Sequence, residues 1–247
     1  MEESHTIVPE SIIYNIPYID PNLLMSFITW GILILGSWII IRKASLQPGA
    51  LQLGLESIFT YVFDLSDQVI GADARRYYPL FVGLFLFILL SNILGLIPGL
   101  TSPTANPNTT FGLAIAVFIY YNFEGFRKQG FKYFQQFLGP KLPWYLFPVK
   151  ILLFVTEVIS AFTRPFSLGL RLFCNIFSKE LFLTVLAILL GQFLLSPVLF
   201  DKWFSLGPLL LRPFILLLGL ILGIIQAVVF TLLSISYVGG AVNAAKH

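Results

Sequence analysis

The sequence predicts an all-α membrane protein that crosses the bilayer several times. Of its 247 residues, 57% are hydrophobic and only 11% are charged, whereas soluble domains carry about a quarter charged residues. Several uncharged apolar runs approach the roughly 20 residues that a helix needs to cross a hydrocarbon core. We therefore expect a polytopic fold with about five membrane-crossing helices and one interfacial amphipathic helix.

Charge and cysteine content exclude several classes of function. The formal net charge is only +3 and no long basic cluster occurs, which argues against nucleic-acid binding. The single cysteine, Cys174, cannot form an internal disulfide, and the two histidines, His5 and His247, stand at opposite ends of the chain. The sequence predicts no metal site, no cofactor and no catalytic residues, so a role in an enzyme would be that of a non-catalytic subunit.

The first predicted span covers residues 24–41 and is followed by Arg42 and Lys43. Residues 1–23 begin with two glutamates and lack the basic segment of a signal peptide, so we expect an external N-terminal segment and a retained first span. In residues 48–71, apolar side chains recur at steps of three and four with acidic residues between them. This pattern predicts an amphipathic helix at the membrane interface.

Two shorter spans are predicted next, at 79–98 and 109–123. The segment between them, 99–108, is rich in Pro, Thr, Ser and Asn and is typical of a loop. A basic loop follows the third span and contains Arg127, Lys128, Lys132 and Lys141. Because basic loops favour the cytoplasmic side, alternation of the spans puts the N-terminus outside and the C-terminus in the cytoplasm.

Two long apolar segments complete the chain, at 148–192 and 208–240. At about 1.5 Å per residue, the first of them exceeds one perpendicular crossing. It must therefore be tilted, kinked or both, and Pro165 is the candidate for a kink. The second contains one charge, Arg212, which is close enough to the start of the segment to snorkel to the interface.

A polar stripe runs along the first long segment. Its members recur every seven residues, which is close to two helical turns, and are Lys150, Glu157, Arg164, Arg171 and Ser178. Ser167 and Asn175 lie one turn to either side of Arg171. Glu157 and Arg164 are compatible with a structural ion pair as well as with a role in ion transfer, and both readings stay open.

Arg171 is the member that calls most strongly for a functional explanation. It lies in the apolar sequence 166–172 with no acidic residue within four positions, and we expect it to be buried in the membrane. A charge within a span costs roughly 2.5–3.5 kcal/mol on insertion scales, and arginine cannot lose its proton to lower that cost. It requires an anion or water, and if no acid of this chain serves, a partner chain must.

Further polar residues accompany this stripe. Glu180 lies about 13 Å beyond Arg171 along a helix axis and suits a proton relay, although a structural pair with Lys179 is the alternative. In the last segment, Gly219, Gly223 and Gln226 share one face. The small residues favour close helix packing, and Gln226 serves either as an interhelical hydrogen bond or as a support for Arg171.

The segment Ser167-Leu-Gly-Leu-Arg-Leu-Phe-Cys-Asn175, with Glu180 five residues later, resembles the signature of subunit a of F-type ATP synthases. Two further segments match the family in the same order: Gln226-Ala-Val-Val-Phe-Thr-Leu-Leu in the last helix, and residues 84–99. The resemblance covers residues 24–242, and the Arg171 motif is its specific part.

The resemblance implies an ion-conducting stator subunit in which the last two long helices form a tilted hairpin beside a rotating ring of c subunits. Two offset aqueous half-channels would deliver protons, or Na⁺, to the ring carboxylates and away from them. The other implied partners are b-type peripheral stalk subunits, the rest of the ATP synthase and the lipid bilayer. From the short chain without a targeting sequence we expect a bacterial inner (plasma) membrane, with an organellar membrane as the alternative.

The resemblance also assigns roles to individual residues. Arg171 matches the essential arginine between the half-channels, Glu180 an outer half-channel carboxylate, and Gln226 the glutamine that faces the arginine. Asn175, Ser167 and, in the second span, Asn92 match polar positions of the family. The candidate ion-translocation residues are therefore Arg171, Glu180, Gln226, Asn175, Lys179, Ser167, Glu157, Arg164 and Asn92.

The chain departs from the family at the outer half-channel. Many bacterial members carry a histidine on the last helix where this chain has Gly219, and a small residue where it has Lys179. We infer from this exchange that Lys179 fills the space left by Gly219 and tunes Glu180. Two other functions remain as alternatives: a secondary transporter with a buried arginine site for an anionic substrate, and a purely structural membrane subunit.

Overall fold

The computed structural model describes residues 21–43, 49–97, 100, 102–130, 133, 147–195 and 203–243. These residues form α-helices and short 3₁₀ turns without a strand, which confirms the predicted all-α fold. The helices are α1 (Pro21–Lys43), α2 (Ala50–Ile70), α3 (Tyr78–Leu94), α4 (Pro107–Gln129), α5 (Phe147–Leu195) and α6 (Leu206–Asn243). The 3₁₀ turns are Ala74–Arg76 and Pro103–Ala105. Most of the predicted external segment, most of the basic loop after Gly130, residues 196–202 and both histidines lie outside the described residues.

Local sequence signals explain where α4 begins and ends. The side chain of Asn106 accepts a hydrogen bond from the backbone N–H of Asn108 at 2.9 Å, and Pro107 occupies the first turn. The helix ends at Gly130, whose φ of 58° lies in the left-handed region that favours glycine. Helix α4 is therefore longer than the predicted segment 109–123, since it begins at Pro107 within the polar loop and continues to Gln129.

The amphipathic helix α2 packs its apolar stripe against the rest of the bundle. Val62, Ser66 and Ile70 are buried, whereas Asp64 and Asp67 are exposed. This division follows the three- and four-residue steps of the sequence, because residues at that spacing share one helix face.

The core of the described bundle is centred on α6, which contacts α2, α3, α4 and α5. Its inward side chains Phe230, Ile235 and Val238 have no exposed surface and belong to the same buried cluster as Phe81 and Ile88 of α3. The small residues of α6 allow α3 to approach closely. A Cβ atom placed on Gly223 would lie only 3.0 Å from Asn92 Cβ.

The two long helices α5 and α6 form an antiparallel hairpin, as the resemblance implied. Lys179 contacts Gly219, Asn175 contacts Gln226, and Arg164 lies over the ring of Tyr237, so residue numbers rise on α5 as they fall on α6. The segments Val149–Leu194 and Leu206–Asn243 are both long and apolar enough to cross a membrane. Helix α5 continues through Pro165, and at 49 residues it extends about 70 Å, so a membrane can accommodate it only at a steep tilt.

At one end of the bundle, ion pairs and hydrogen bonds connect the ends of several helices. The buried carboxylate of Glu124 pairs with Arg76 and Arg127, each at 3.4 Å, and accepts a hydrogen bond from the Tyr77 hydroxyl at 3.1 Å. Burial and the neighbouring Glu124 carboxylate raise the pKa of Tyr77 to about 12.

The same end of the bundle includes the C-terminal end of α6. Lys128 forms an ion pair with Asp73, and Gln129 donates a hydrogen bond to the carbonyl of Ala241 at 2.7 Å. The side chain of Asn243 donates to the carbonyl of Val69 at 3.2 Å. The basic residues before α3 and at the end of α4 therefore lie at the same end of the bundle as the end of α6.

Candidate functional site

Arg171 lies on the exposed face of α5, where the described residues of this chain do not cover it. The neighbouring residues Leu168 and Leu172 are only 2% and 0% exposed, and they occupy the face that contacts the bundle. Successive helix residues point about 100° apart, so the burial of Leu172 turns Arg171 outward. Among the described residues, no carboxylate forms an ion pair with Arg171.

The surface around Arg171 is largely apolar. Leu170 and Phe177 of α5 are 39% and 47% exposed, and Cys174 of the same helix is exposed as well. Ser167 is also exposed, one turn before Arg171, and it does not join the polar cluster described below. Arg171 is thus a permanent cation on an apolar surface of a membrane helix, where its charge is costly without an anion.

A hydrogen bond connects the Arg171 face with α6. The side-chain amide of Asn175, one turn beyond Arg171, donates to Gln226 Oε1 at 2.8 Å. Gln226 is only 3% exposed, whereas Asn175 is exposed. The sequence left open whether Gln226 bonds to another helix or supports Arg171, and the structure shows the interhelical bond.

Asn92 joins the same cluster from α3. Its side-chain amide donates to the carbonyl of Gly223 at 2.9 Å, and its Oδ1 accepts from the Thr104 hydroxyl at 3.4 Å. Thr104 Oγ1 also lies 2.8 Å from Ser102 Oγ. Asn92, Ser102 and Thr104 are all buried, so these polar groups depend on one another for hydrogen bonds.

Glu180 and Lys179 make separate contacts with the segment between α3 and α4. The backbone N–H of Ser102 donates to Glu180 Oε1 at 3.3 Å, and Lys179 Nζ donates to the carbonyl of Gly95 at 3.4 Å. Among the described residues, Lys179 and Glu180 do not form an ion pair with each other. Each side chain is instead positioned by its own hydrogen bond.

Lys179 also occupies the space in front of Gly219. A Cβ atom placed on Gly219 would lie 2.6 Å from Lys179 Cδ, closer than atoms of this kind approach. The aliphatic stem of the lysine therefore fills the volume that a side chain at position 219 would take, as the departure from the family pattern suggested.

Two spaces adjoin this polar cluster. A small cavity of about 20 Å³ lies between α3, α5 and α6, and its polar lining consists of Asn92, Asn175, Lys179 and Gln226. A groove of about 260 Å³ between α5 and α6 shares Asn175 and Lys179 with it. Exposed apolar side chains border the groove, namely Phe182, Leu218 and Leu222. The polar cluster thus adjoins the exposed face of the hairpin.

A second polar site lies on the other side of Arg171 along α5. Glu157 and Arg164 form an ion pair at 3.4 Å, with side chains 39% and 37% exposed. The Arg164 guanidinium also lies 5.9 Å from the centre of the Tyr237 ring. These residues line a cavity of about 380 Å³, together with Tyr121, Tyr133, Ser236, Gly240 and Ala241.

Comparison with known proteins places the chain in a family. The sequence model of the ATP synthase A chain matches residues 23–239. ATP synthase subunit a 1 of Syntrophotalea carbinolica is 40% identical over 204 residues, which cover 83% of this chain and 78% of the relative. The chain belongs to the ATP synthase A chain family. Two further members, the ATP synthase subunits a of a Sulfurihydrogenibium species and of Aquifex aeolicus, are 38% and 37% identical, and each match covers 83% of this chain and 89% of the relative.

The family match includes the charged and amide residues of both polar sites. Ser102 and Thr104 are the members of the polar cluster with Asn92 that the sequence did not predict. Their only signal was the composition of the predicted loop 99–108, because nothing local shows that this loop folds back against Asn92 and Glu180.

Proposed function

We propose that this chain is the ion-conducting stator subunit of a rotary ATP synthase, beside a ring of c subunits. Its membership in the ATP synthase A chain family and its two long apolar helices support this role. The observation that carries the proposal is the position of Arg171, an exposed cation on an apolar face without an acidic partner among the described residues.

The charge of Arg171 defines what must cover this face. A partner that buries the face against the hairpin has to supply an anion at the level of Arg171, because the cation cannot be neutralised by losing its proton. A carboxylate on each c subunit meets that requirement. The guanidinium favours the ionised form of the carboxylate and so promotes release of its proton.

The two polar sites serve as half-channels on either side of Arg171. The outer one contains the cavity that Asn92, Asn175 and Gln226 line, together with Glu180, which is bonded to Ser102. The inner one is the cavity that Glu157 and Arg164 line. The two sites are offset along α5. Glu180 lies nine residues after Arg171, and Arg164 lies seven residues before it. A proton, or Na⁺, that enters by one must therefore ride on the ring to reach the other.

In the outer half-channel, Lys179 occupies part of the space that a histidine occupies in many relatives. Its stem fills the space at Gly219, and its ammonium group lies near the carbonyl of Gly95 on the outer loop. A cation there keeps other cations at a distance from the path unless Glu180 balances it. Lys179 and Glu180 together make the outer access electrically neutral.

The distribution of basic residues supports an orientation in the membrane. Arg75, Arg76, Arg127 and Lys128 lie at the end of the bundle where α6 ends, and basic residues favour the cytoplasmic side. The C-terminus is then cytoplasmic and the N-terminus outside. The similar proteins named above come from bacteria, so the proposed location is a bacterial inner membrane, with c-ring and b-type stalk subunits as partners.

Replacement of Arg171 by Ala in the assembled complex tests the proposal. ATP-driven proton pumping into vesicles should be lost, because the ring carboxylate no longer meets a cation between the half-channels. Arg212→Ala removes a cation of the neighbouring helix, near its start and far from the site, and should leave pumping intact. Full pumping with Arg171→Ala would contradict the stator role, and substrate uptake by the chain without a ring would instead favour a transporter.

A further inference from the structure

An apolar groove runs between α1 and α3, away from both polar sites. It consists of two spaces of about 490 and 400 Å³, which share Leu33, Ser37 and Leu86 and so form one continuous groove. Its floor follows α3 from Pro79 to Ile93. At 1.5 Å per residue this stretch covers about 21 Å, which is longer than the roughly 15 Å of one membrane leaflet.

The walls of the groove are almost entirely hydrocarbon and leave two glycines uncovered. Gly36 of α1 and Gly83 of α3 both line it, and no neighbouring side chain or helix comes within 4 Å of the Cβ position of either. Helix α1 itself contacts mainly α3 and the turn Pro103–Ala105. A molecule that fills the groove would therefore add to the few contacts that hold α1 against the bundle.

One end of the groove is marked by aromatic and basic residues. Trp30 lies against Phe87 with 5.1 Å between the ring centres, whereas Trp38 lines the groove together with Pro79, so α1 and α3 run antiparallel. Arg42, one turn after Trp38, therefore lies just beyond the Pro79 end of the groove. Tryptophan and arginine at the end of an apolar helix are typical of the membrane interface.

Arg42 presents a cation at this end. Its guanidinium carbon lies over the Trp38 ring, 3.9 Å from the ring centre. Arg42 is exposed and forms no ion pair among the described residues, so its N–H groups remain available to an anion. Arg75, four residues before Pro79, is also exposed and without an ion pair in the described part of the chain.

These charges distinguish two kinds of occupant. A helix of a partner chain would need an acidic side chain at the level of Arg42 in addition to an apolar face. An anionic phospholipid has both parts, because its phosphate lies at the interface and its tail lies in the hydrocarbon core. Basic residues next to a membrane surface attract such lipids.

We propose that the groove binds one anionic phospholipid. An acyl chain lies between α1 and α3 over Gly36 and Gly83, and the phosphate accepts hydrogen bonds from Arg42 and Arg75. The lipid fastens α1 to the bundle. This site involves neither Arg171 nor the two polar sites, so it does not depend on the proposed function.

Photolabelling of the assembled complex in phosphatidylcholine vesicles tests the site. The probes are phosphatidylglycerol and phosphatidylcholine that carry the same photoreactive acyl chain, and mass spectrometry locates their adducts on this chain. One arginine at the surface is worth a factor of about five in anionic lipid binding. We therefore expect the phosphatidylglycerol probe to label Leu86 more than fivefold better than the phosphatidylcholine probe.

Two other results would overturn the proposal. Equal labelling of Leu86 by both probes would mean that bulk lipid alone reaches the groove. Absence of label from both probes would mean that a partner helix covers it.

Glycine substitutions test whether the acyl chain occupies the groove. Gly83→Leu fills the space without meeting a neighbouring atom at Cβ, so labelling of Leu86 should fall several-fold. Gly31→Leu makes the same change on α1 outside the groove, also at an open Cβ position, and should leave labelling intact. Gly36→Leu fills the groove from the α1 wall and takes the place of Gly83→Leu if that variant does not assemble. Undiminished labelling in a filled variant would refute the acyl-chain site.

An arginine substitution tests recognition of the phosphate. Arg42→Gln should lower the preference for phosphatidylglycerol about fivefold, whereas Arg212→Gln, near the start of α6, should not change it. An unchanged preference in Arg42→Gln would show that Arg42 does not bind the phosphate. Arg171→Ala should lose pumping and keep the lipid preference, so that the lipid site and the stator function can fail separately.

Discussion

Lys179 of α5 lies against Gly219 of α6, so that a Cβ atom at position 219 would come within 2.6 Å of Lys179 Cδ. The two positions therefore share one volume, and the size of one side chain limits the size of the other. Leu96, in the turn after α3, lies 3.4 Å from the same Cβ position.

This shared volume predicts coupling between the two positions. Gly219→Ala alone should destabilise the subunit by about 1–3 kcal/mol, the usual cost of overpacking. In a Lys179→Ala background the same substitution should cost almost nothing, because the stem that it meets is gone. Thermal unfolding of the four variants in the purified complex measures the coupling. Gly191→Ala, on α5 with no atom near its Cβ position, is the control. Equal costs in both backgrounds would contradict the contact.

The hydrogen bond between Asn175 and Gln226 predicts a non-additive pair. Either Asn175→Leu or Gln226→Leu removes the same bond, so each should slow ATP-driven pumping by roughly tenfold. The double variant should be little worse than the more harmful single one. Ser178→Ala changes an exposed polar residue of the same stripe and serves as the control. Independent, multiplying effects of the two substitutions would show that the residues act separately.

The Glu157–Arg164 pair predicts a charge-balance effect in the inner cavity. Glu157→Gln leaves an uncompensated cation there, and Arg164→Gln leaves an uncompensated anion, so each should reduce the rate of pumping. The double substitution keeps the cavity neutral and should recover much of the lost rate. Because both side chains are more than a third exposed, the effect on stability should stay below about 1 kcal/mol.

Lys150→Gln removes another cation of the same stripe without a described ion pair and is the matched control for this test. Comparison of pumping rates at fixed complex concentration separates conduction from assembly. A double variant as slow as the worse single one would mean that the charges act individually, and neutrality of the cavity would not matter.

The buried Tyr77 hydroxyl predicts a loss of stability at alkaline pH. Tyr77 precedes α3, and its pKa of about 12 lies above the ordinary tyrosine value near 10. The unfolded chain therefore loses this proton first as the pH rises. The stabilisation by Tyr77 is complete below pH 10 and declines as the pH approaches 12.

Unfolding temperatures of the wild type and Tyr77→Phe, measured from pH 8 to 12, provide the check. The advantage of the wild type should shrink as the pH passes 10, because Phe cannot ionise. Tyr61→Phe, at an exposed position of α2, is the matched control. If the Tyr77→Phe difference were constant, the hydroxyl would not be held in its protonated form by burial and Glu124.

Much of the fold follows from local sequence patterns. The boundaries of α5 and α6 lie within a few residues of those predicted, since long apolar segments end where charges and prolines begin. The division of α2 into a buried and an exposed face also agrees with its three- and four-residue steps. The polar loop before α4 was recognised, but its Asn106 cap makes α4 start earlier than hydropathy alone indicates.

The candidate site was predictable only in part. Polar residues in apolar helices identified Arg171, Glu180, Asn175 and Gln226, because a charge or amide in such a context needs a reason. The family resemblance added Asn92. Ser102 and Thr104 had no comparable signal, since hydroxyl side chains are ordinary in a loop. Ser102 donates to the carbonyl of Ser91 and Thr104 donates to Asn92, so both contacts join the loop to α3, and only the fold brings these residues together.

The sequence by itself determined the all-α membrane fold, the two long apolar helices and the positions of their unusual charges, because hydrophobicity and helical period are local properties. The pairing of those helices in a hairpin was implied by the family resemblance. Tertiary structure decided which face of each helix points into the bundle. It put Leu168 and Leu172 inside and so left Arg171 on the outer face. It also brought Lys179 onto Gly219 and the Ser102–Thr104 loop onto Asn92. These outcomes depend on which helices pack together, and no local pattern contains that information.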